Sequence, residues 1–354
     1  MSKTRIGLDV SGGDHAPETI LKGALAAVDT SAESPLLPER IVLFGDEAAI
    51  ISGLNDLGGN PGFVISHAPE AIGMEEKPAQ ALRAKRKSSI SLGTKAVRAG
   101  ETGAFVSMGN TGAVVGAATL MLGTLPGVRR PGIAVTQHLV GRPVTVLDMG
   151  ANTVPKPEDL LAYGVMGDIL QRDCMGVENP RVGLLNIGEE ESKGTELLQQ
   201  AYPLLKASGL NFVGNVEGGD IFKDHADVII TDGFTGNVVL KLMEGMASFM
   251  MKRLVGELTK QGVPIDPKVL GGLARSIDSS EYGGALLLGV DGVVIIGHGS
   301  ADARAVKNAL QLAAKGLDTH INQDIVKGLF NNRRFRDATR LSGVNSINWG
   351  RIVA

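Results

Sequence analysis

Residues 227–245 read D-V-I-I-T-D-G-F-T-G-N-V-V-L-K-L-M-E-G. The apolar run Val228, Ile229, Ile230 has the length of a buried strand, Asp232, Gly233 and Gly236 interrupt it, and Val238, Leu242 and Met246 resume at helical spacing. This predicts a strand, a tight loop and a helix start. Glycines let a backbone approach a ligand, and the first amides of a helix lack internal partners, so the loop is expected to hold an anion. The same grammar recurs where Val182 to Asn186 runs into I-G-E-E-E-S-K-G, and where Ala104 to Val106 runs into S-M-G-N-T-G-A. Parallel strands gather such loops at their carboxyl ends, so the three segments are expected to line one crevice.

Outward from this stretch, strands and helices keep alternating. A strand at 5–10 ends in D-V-S-G-G-D-H-A-P-E, which places Asp9, Asp14 and His15 at a strand-to-helix junction with Pro17 in the first helical turn. Further strands are expected at 41–44, 63–67, 145–148 and 181–186, with helices at 157–174 and 195–208. Such alternation predicts an α/β fold, a mostly parallel sheet covered by helices on both faces. Residues 1–330 read as a single large α/β domain. Residues 331–354, with Arg333, Arg334, Arg336 and Arg340, read as a basic C-terminal tail.

Composition narrows the function. The chain has 354 residues, a net charge of -3, three Tyr and one Trp, so it offers neither a basic surface nor a stacking platform for nucleic acid. Cys174 is the only cysteine, which excludes an internal disulfide and suits a reducing compartment. No apolar stretch is long and uncharged enough to span a bilayer, and a cytoplasmic protein is expected. Walker A is missing because no Gly-Lys pair occurs, the glycines of Gly109 to Gly116 have the wrong spacing for a dinucleotide fingerprint, and Gly-x-Ser-x-Gly is absent. The six histidines show no metal-ligand spacing.

What remains is a chemistry of positioning. Asn110 with Thr111 and Gly112, Lys193, and Asn237 with Asp232 and Gly236 stand on three separate strand-end loops. Amide, hydroxyl and ammonium groups are what bind a phosphate or an oxyanion. Each also has an ordinary structural use, since Asn caps helices and Lys193 has Glu189, Glu190 and Glu191 as neighbours. Asp9, Asp14 and His15 can bind substrate, relay a proton or simply shape their junction.

Seven segments together resemble one family over nearly the whole chain. They are G-G-D-H-A-P at Gly12, K-S-S-I at Lys87, G-N-T-G-A at Gly109, L-L-N-I-G-E-E-E-S-K-G at Leu184, G-N-V-E-G at Gly214, D-G-F-T-G-N-V-V-L-K at Asp232 and G-V-V-I-I-G-H-G-S at Gly292. The order and content are similar to the bacterial phosphate acyltransferases, which move an acyl group from acyl carrier protein to phosphate. Here the family's D-A-M-G-G-D-H-A-P reads Asp9-Val10-Ser11-Gly12-Gly13-Asp14-His15-Ala16-Pro17, and the expected proline near Gly284 is replaced by leucine. The resemblance implies a three-layer sandwich like that of isocitrate and isopropylmalate dehydrogenases and of phosphotransacetylases. It implies a homodimer that uses acyl-acyl carrier protein and inorganic phosphate without a metal or organic cofactor. Its product would pass to a membrane glycerol-3-phosphate acyltransferase, which suits peripheral association with the inner face of the cell membrane. Carried over by position, Lys193 and Asn237 are the expected catalytic residues.

Two surfaces follow from that implication. Phe249, Met250, Leu254 and Leu258 share a helical face beside Lys252, Arg253 and Lys260, and a second helix with Val269, Leu270 and Leu273 would complete a projecting hairpin at about 245–278. The hairpin would touch the bilayer or cover the acyl chain, or else pack as an ordinary helix pair. Lys85, Arg86, Lys87, Arg129 and Arg130 are candidate contacts for the acidic carrier protein. Cys174 reads as a bystander thiol. Two other classes remain open at this point: a dehydrogenase on the same fold, and a non-catalytic scaffold.

Overall fold

The computed structural model describes residues 4–32, 34–139, 141–263, 266 and 283–341. Eleven strands form one sheet: β1 (Ile6–Asp9), β2 (Ile41–Gly45), β3 (Val64–His67), β4 (Ala104–Ser107), β5 (Gly132–Leu139), β6 (Arg142–Leu147), β7 (Val182–Leu185), β8 (Phe212–Val216), β9 (Val228–Ile230), β10 (Ala285–Leu288) and β11 (Val293–Ile296). Their spatial order is β3-β2-β1-β4-β11-β10-β5-β6-β9-β7-β8. The helices are α1 (Glu18–Val28), α2 (Glu47–Asp56), α3 (Pro78–Ala84), α4 (Ser89–Arg98), α5 (Thr111–Ala117), α6 (Pro157–Leu170), α7 (Glu196–Lys206), α8 (Gly233–Lys260), α9 (Ala303–Asp318), α10 (Ile321–Asn331) and α11 (Arg333–Leu341).

Side chains alternate along the strands, so the sheet feeds two cores. Val228 and Ile230 of β9, with Val293 and Ile295 of β11, join one core together with Leu21, Tyr163 and Leu310 from α1, α6 and α9. Ile229, Val294 and Ile296 point the other way, against Ala81, Ala113 and Val114 from α3 and α5. Helices on both faces make the expected three layers.

The sheet is mostly parallel, but β11–β10, β10–β5 and β5–β6 pair antiparallel. Three reversals in a row leave β3-β2-β1-β4-β11 running one way and β6-β9-β7-β8 the other. The two parallel blocks therefore open their carboxyl ends at opposite edges of the sheet. This corrects the single crevice expected from sequence, because the loop after β4 leaves one edge while the loops after β7 and β9 leave the other.

At the amino ends of the second block, the buried carboxylate of Asp227 accepts from the Arg181 backbone N–H (2.8 Å), from Arg181 Nε (2.9 Å) and from Arg142 Nη1. The pairing ties β6, β7 and β9 together at the end remote from their functional loops. Removing Asp227 would take away the buried carboxylate that both guanidiniums share and leave them, among the described residues, only the exposed Asp224 as an ion-pair partner.

Helix α8 is a single 28-residue rod in which only Gly233 and Gly236 are buried. Val239, Leu240 and Met243 pack against the second core, whereas Phe249, Met250 and Leu254 are exposed. The helix that begins at the expected loop thus runs unbroken from Gly233 through the first arm of the expected hairpin to Lys260. The second arm of the expected hairpin, with Val269, Leu270 and Leu273, lies outside the described residues. The segment read as a basic tail begins instead with α11, anchored by the fully buried Phe335. The backbone of Arg340 belongs to that helix, and residues 342–354 lie outside the described residues.

Candidate active site

Strands β6, β9 and β7 are neighbours in register, with Leu147 and Leu184 both opposite Ile230. Their three following loops leave one edge side by side. Asp148, directly after β6, is buried and folds its own loop: Oδ1 accepts from the backbone N–H groups of Ile133 (2.9 Å), Gly150 (3.0 Å) and Ala151 (2.9 Å), and Oδ2 from Asn152 (2.7 Å). Burial pushes the Asp148 carboxyl above its ordinary pKa, while these four donors pull it back. The first turn of α8 docks on this loop. Gly233 N–H donates to the Asn152 carbonyl (2.9 Å), and a Cβ at Gly236 would collide with the Asp148 carbonyl oxygen.

The start of α8 is already satisfied. Asp232 is its N-cap, with Oδ1 accepting from Phe234 N–H (3.0 Å) and Thr235 N–H (2.9 Å) and Oδ2 from the Thr235 hydroxyl (2.7 Å). Gly236 N–H donates to the Asp232 carbonyl (2.9 Å). Every amide from 233 to 236 has a partner within the protein, and the cap itself is an anion. The amides expected to face a ligand are thus engaged within the protein, and Asp232 and Gly236 serve the docking of α8, with an aspartate at the cap position as the signal in the sequence. Asn237, one residue on, is different. Its exposed side chain lies over Gly150, where the position of a Cβ is 3.7 Å from Asn237 Cγ.

Lys193 stands on the loop after β7. The loop is pinned by Asn186, whose Nδ2 donates to the Lys193 carbonyl (3.1 Å), and by Lys193 N–H, which donates to the Glu190 carbonyl (3.0 Å). The lysine stem passes over Gly188. Glu191 pairs with Lys206 instead. Among the described residues the Lys193 ammonium has no ion-pair partner, so the acidic neighbours in the sequence do not consume it.

The other edge carries Asp9, Asp14, His15, Asn110, Thr111 and Gly112. Asp9 is buried, with Oδ1 accepting from Ser11 N–H (3.0 Å) and Oδ2 from the Ser107 hydroxyl (2.7 Å). Burial raises its pKa, offset by hydrogen bonds from Ser89 and Ser107. Asp14 N–H donates to the Gly299 carbonyl (2.7 Å), and the Asp14 and His15 side chains are exposed. The Asn110 side chain, expected to contact substrate, is engaged within the fold. Its Oδ1 caps α5 by accepting from Ala113 N–H (3.0 Å), and its Nδ2 faces the carbonyls of Gly73 (3.3 Å), Met74 (2.9 Å) and Glu76 (3.0 Å), which leaves it no free donor. Thr111 and Gly112 are exposed in the first turn of α5, with Gly112 close above Pro78. Among the described residues no hydrogen bond or ion pair joins this group to the Lys193 and Asn237 group.

Of the cations expected to face a carrier, Arg129 is paired with Asp159 and Lys85 with Glu76, whereas Arg86, Lys87 and Arg130 are exposed. Cys174 is buried, which raises its pKa, and it lies 3.8 Å from the Thr319 hydroxyl. A buried thiol of that kind is a poor nucleophile. A recess lined by Asp168, Arg172, Gly209 and Asn332 sits beside the turn that precedes β8, at the opposite end of the strands from Lys193. Asp148, Asn152 and Asn186 were not singled out from sequence as site residues, although D-M-G-A-N-T after β6 repeats the polar, glycine-containing signature of the other strand ends.

The architecture is that of the phosphotransacetylases. The phosphotransacetylase of Streptococcus pyogenes superposes with a TM-score of 0.60 at 16% identity, over 90% of this chain and 95% of that one. The EutD phosphotransacetylase of Staphylococcus aureus gives 0.56 at 16% identity, over 88% and 94%. Sequence likeness reaches further. The phosphate acyltransferase of Heliobacterium modesticaldum is 46% identical over 320 residues, 88% of this chain and 94% of that protein. That of Acidobacterium capsulatum is 43% identical over 329 residues, 91% and 96%. Residues 4–324 also match the family described as fatty acid synthesis protein. The chain belongs to the phosphate acyltransferase family and is an acyltransferase enzyme of lipid synthesis.

Proposed function

We propose that the enzyme transfers a fatty acyl group from acyl-acyl carrier protein to inorganic phosphate, forming acyl phosphate for phosphatidic acid synthesis. One observation carries the reading: at the edge shared by β6, β9 and β7, the side chains of Asp148, Asn186 and Asp232 are spent on the fold's own hydrogen bonds, while the Lys193 ammonium and the Asn237 carboxamide are exposed. An ammonium attracts phosphate, and a carboxamide N–H stabilises a developing oxyanion. A phosphate oxygen attacks the thioester carbonyl carbon and forms the C–O bond. The tetrahedral oxyanion collapses, the C–S bond breaks, and the thiolate takes the proton of hydrogen phosphate to leave as thiol. Phosphate is already a nucleophilic anion, so catalysis consists of holding it near the carbonyl and stabilising charge.

The remaining parts of the reading concern surfaces. Phe234, Val238, Leu242, Met246, Met250 and Leu254 recur every fourth residue along α8 and are exposed, beginning beside Asn237. Such a stripe, with Phe249 beside it and Leu258 one turn beyond, supports contact with the acyl chain or the bilayer. Exposed Arg86, Lys87 and Arg130 support docking of the acidic carrier. We further propose a homodimer that hands its product to a membrane glycerol-3-phosphate acyltransferase. Asp9, Asp14, His15, Thr111 and Gly112 remain proposed substrate contacts of the opposite edge.

The test is incubation of the purified enzyme with palmitoyl-acyl carrier protein and labelled inorganic phosphate, with Lys193→Ala alongside. Labelled acyl phosphate from the wild type, reduced roughly a hundredfold or more in the variant, is expected. No product at any acyl length would sink the reading.

A further inference from the structure

We infer that Asn186 and Asn215 are positioning residues that jointly hold the loop after β7 so that the Lys193 ammonium is presented to phosphate; this rests on the role proposed for Lys193. The two stand on adjacent strands, Asn215 in β8 opposite Leu184 of β7 and Asn186 just past the end of β7. Both side chains are nearly inaccessible, with 8% of Asn186 and 4% of Asn215 exposed. Asn215 Nδ2 donates to the Glu190 carbonyl (2.9 Å) and the Glu189 carbonyl (3.4 Å), gripping the outgoing limb. Asn186 Nδ2 donates to the Lys193 carbonyl (3.1 Å), and its Oδ1 accepts from Ile187 N–H (2.8 Å), gripping the return limb and the root. Gly194 completes the clamp: its φ is +87°, and a Cβ there would collide with Asn186 Oδ1.

The arrangement answers an electrostatic problem. Three glutamates precede Lys193 within four residues, and a slack loop would let the ammonium fold onto them. Backbone carbonyls of Glu189, Glu190 and Lys193 are all held from beneath, which fixes the lysine's root relative to its acidic neighbours. Asn215 also carries a buried Oδ1 with no hydrogen-bond partner. An unsatisfied buried acceptor is destabilising, so a carboxamide at 215 is explained by its donors rather than by packing.

The experiment is a double-mutant cycle on acyl phosphate formation, with Asn215→Ala and Asn186→Ala each made in the wild type and in Lys193→Ala. If the clamp acts through Lys193, each asparagine variant lowers kcat/KM for phosphate roughly tenfold to a hundredfold in the wild type, as small misplacements of a catalytic group do. The same substitutions then change the residual activity of Lys193→Ala less than about twofold. Hydrogen exchange of the amides at 187–194 should accelerate in both asparagine variants, with exchange in the β6 loop unaltered. Equal losses in the two backgrounds would overturn the inference and leave the asparagines as ordinary stability residues. So would full activity of both asparagine variants, or unchanged loop exchange. Full activity of Lys193→Ala would instead remove the reading of Lys193, and the inference would fall with it.

Discussion

At the edge where β1 and β4 end, a buried aspartate, Asp9, turns the following glycine-rich segment back on itself, and an asparagine, Asn110, begins the next helix. At the edge where β6 and β9 end, a buried aspartate, Asp148, does the same to its own loop, and Asp232 begins α8. The parts are alike and the leftover bonding capacity is not. Asn110 spends its carboxamide on a helix cap and on the carbonyls of Gly73, Met74 and Glu76. Asn237 sits one turn past a cap that Asp232 already supplies, so its carboxamide faces outward. A residue type at a strand end therefore says little about chemistry until the hydrogen bonds around it are counted.

The sharpest way to break this comparison is to truncate both asparagines. Asn237→Ala should lower kcat by roughly a hundredfold, about 2.7 kcal/mol of transition-state stabilisation, with the thermal midpoint almost unchanged. Asn110→Ala should do the reverse, costing about 2 kcal/mol of stability through a lost cap and three unsatisfied carbonyls, with turnover per folded molecule retained. Parallel steady-state kinetics and thermal unfolding read both quantities. If Asn110→Ala lost its chemistry while staying stable, the two edges would have to be treated as one site.

A second pair of substitutions compares the docking of the two helices. Gly236→Ala places a methyl against the Asp148 carbonyl oxygen, a backbone atom that cannot swing aside, whereas Gly112→Ala meets the ring of Pro78 with its nearest carbon 2.6 Å away. Overpacking against backbone should destabilise by about 3 kcal/mol, and that against a ring at the edge of α3 by about 1 kcal/mol. Because α8 carries Asn237, the first variant should also lower kcat for the molecules that remain folded. Denaturant midpoints followed by assays at a permissive temperature would separate the effects. Equal midpoints for the two variants would mean that α8 is not docked through Gly236.

Much of this was readable in the chain, and the unreadable parts share a cause. The strand, loop and helix of 227–245 followed from an apolar run and two glycines, and the aspartate before the helix was already a capping residue by type. Ile321, Ile325 and Leu329 of α10 recur every fourth residue and are all buried, a pattern open to sequence though not drawn from it. The inversion of the two parallel blocks was not legible, because it depends on β5 and β10. Their runs G-I-A-V-T-Q-H-L and A-L-L-L announce strands without announcing direction. Nor could the saturation of Asn110 be read, since its acceptors lie 34 to 37 residues earlier and meet it only in the folded chain. Lys193 and Asn237 were candidates by residue type and loop position, the resemblance picked them out as the catalytic pair, and the structure adds how their hydrogen bonding differs from that of Asn110 and Asp232.

The smallest effect expected concerns the two buried aspartates, whose surroundings differ in a way that pH can expose. Burial raises both carboxyls above the ordinary value of 3.8. In the unfolded chain each therefore ionises at lower pH than in the folded one, so each contributes stability that is present below 3.8 and lost as pH rises through the raised value. Asparagine cannot ionise, so Asp9→Asn and Asp148→Asn should both remove that decline. They should differ in the offset. The donors at Asp9 include hydroxyls of Ser89 and Ser107, which can rotate to accept from a new amide, whereas those at Asp148 are fixed backbone N–H groups: an asparagine oxygen still serves Ile133, Gly150 and Ala151, but its NH2 group confronts the Asn152 N–H. At neutral pH, Asp9→Asn is expected within about 1 kcal/mol of the wild type and Asp148→Asn about 2 kcal/mol below it. Denaturant titrations from about pH 4 to about pH 8 would test this through the wild-type-minus-variant gap. A gap that stays constant for Asp9 would mean that its carboxyl ionises alike in the folded and unfolded chains, and the parallel drawn between the two loop-folding aspartates would then fail at its electrostatic step.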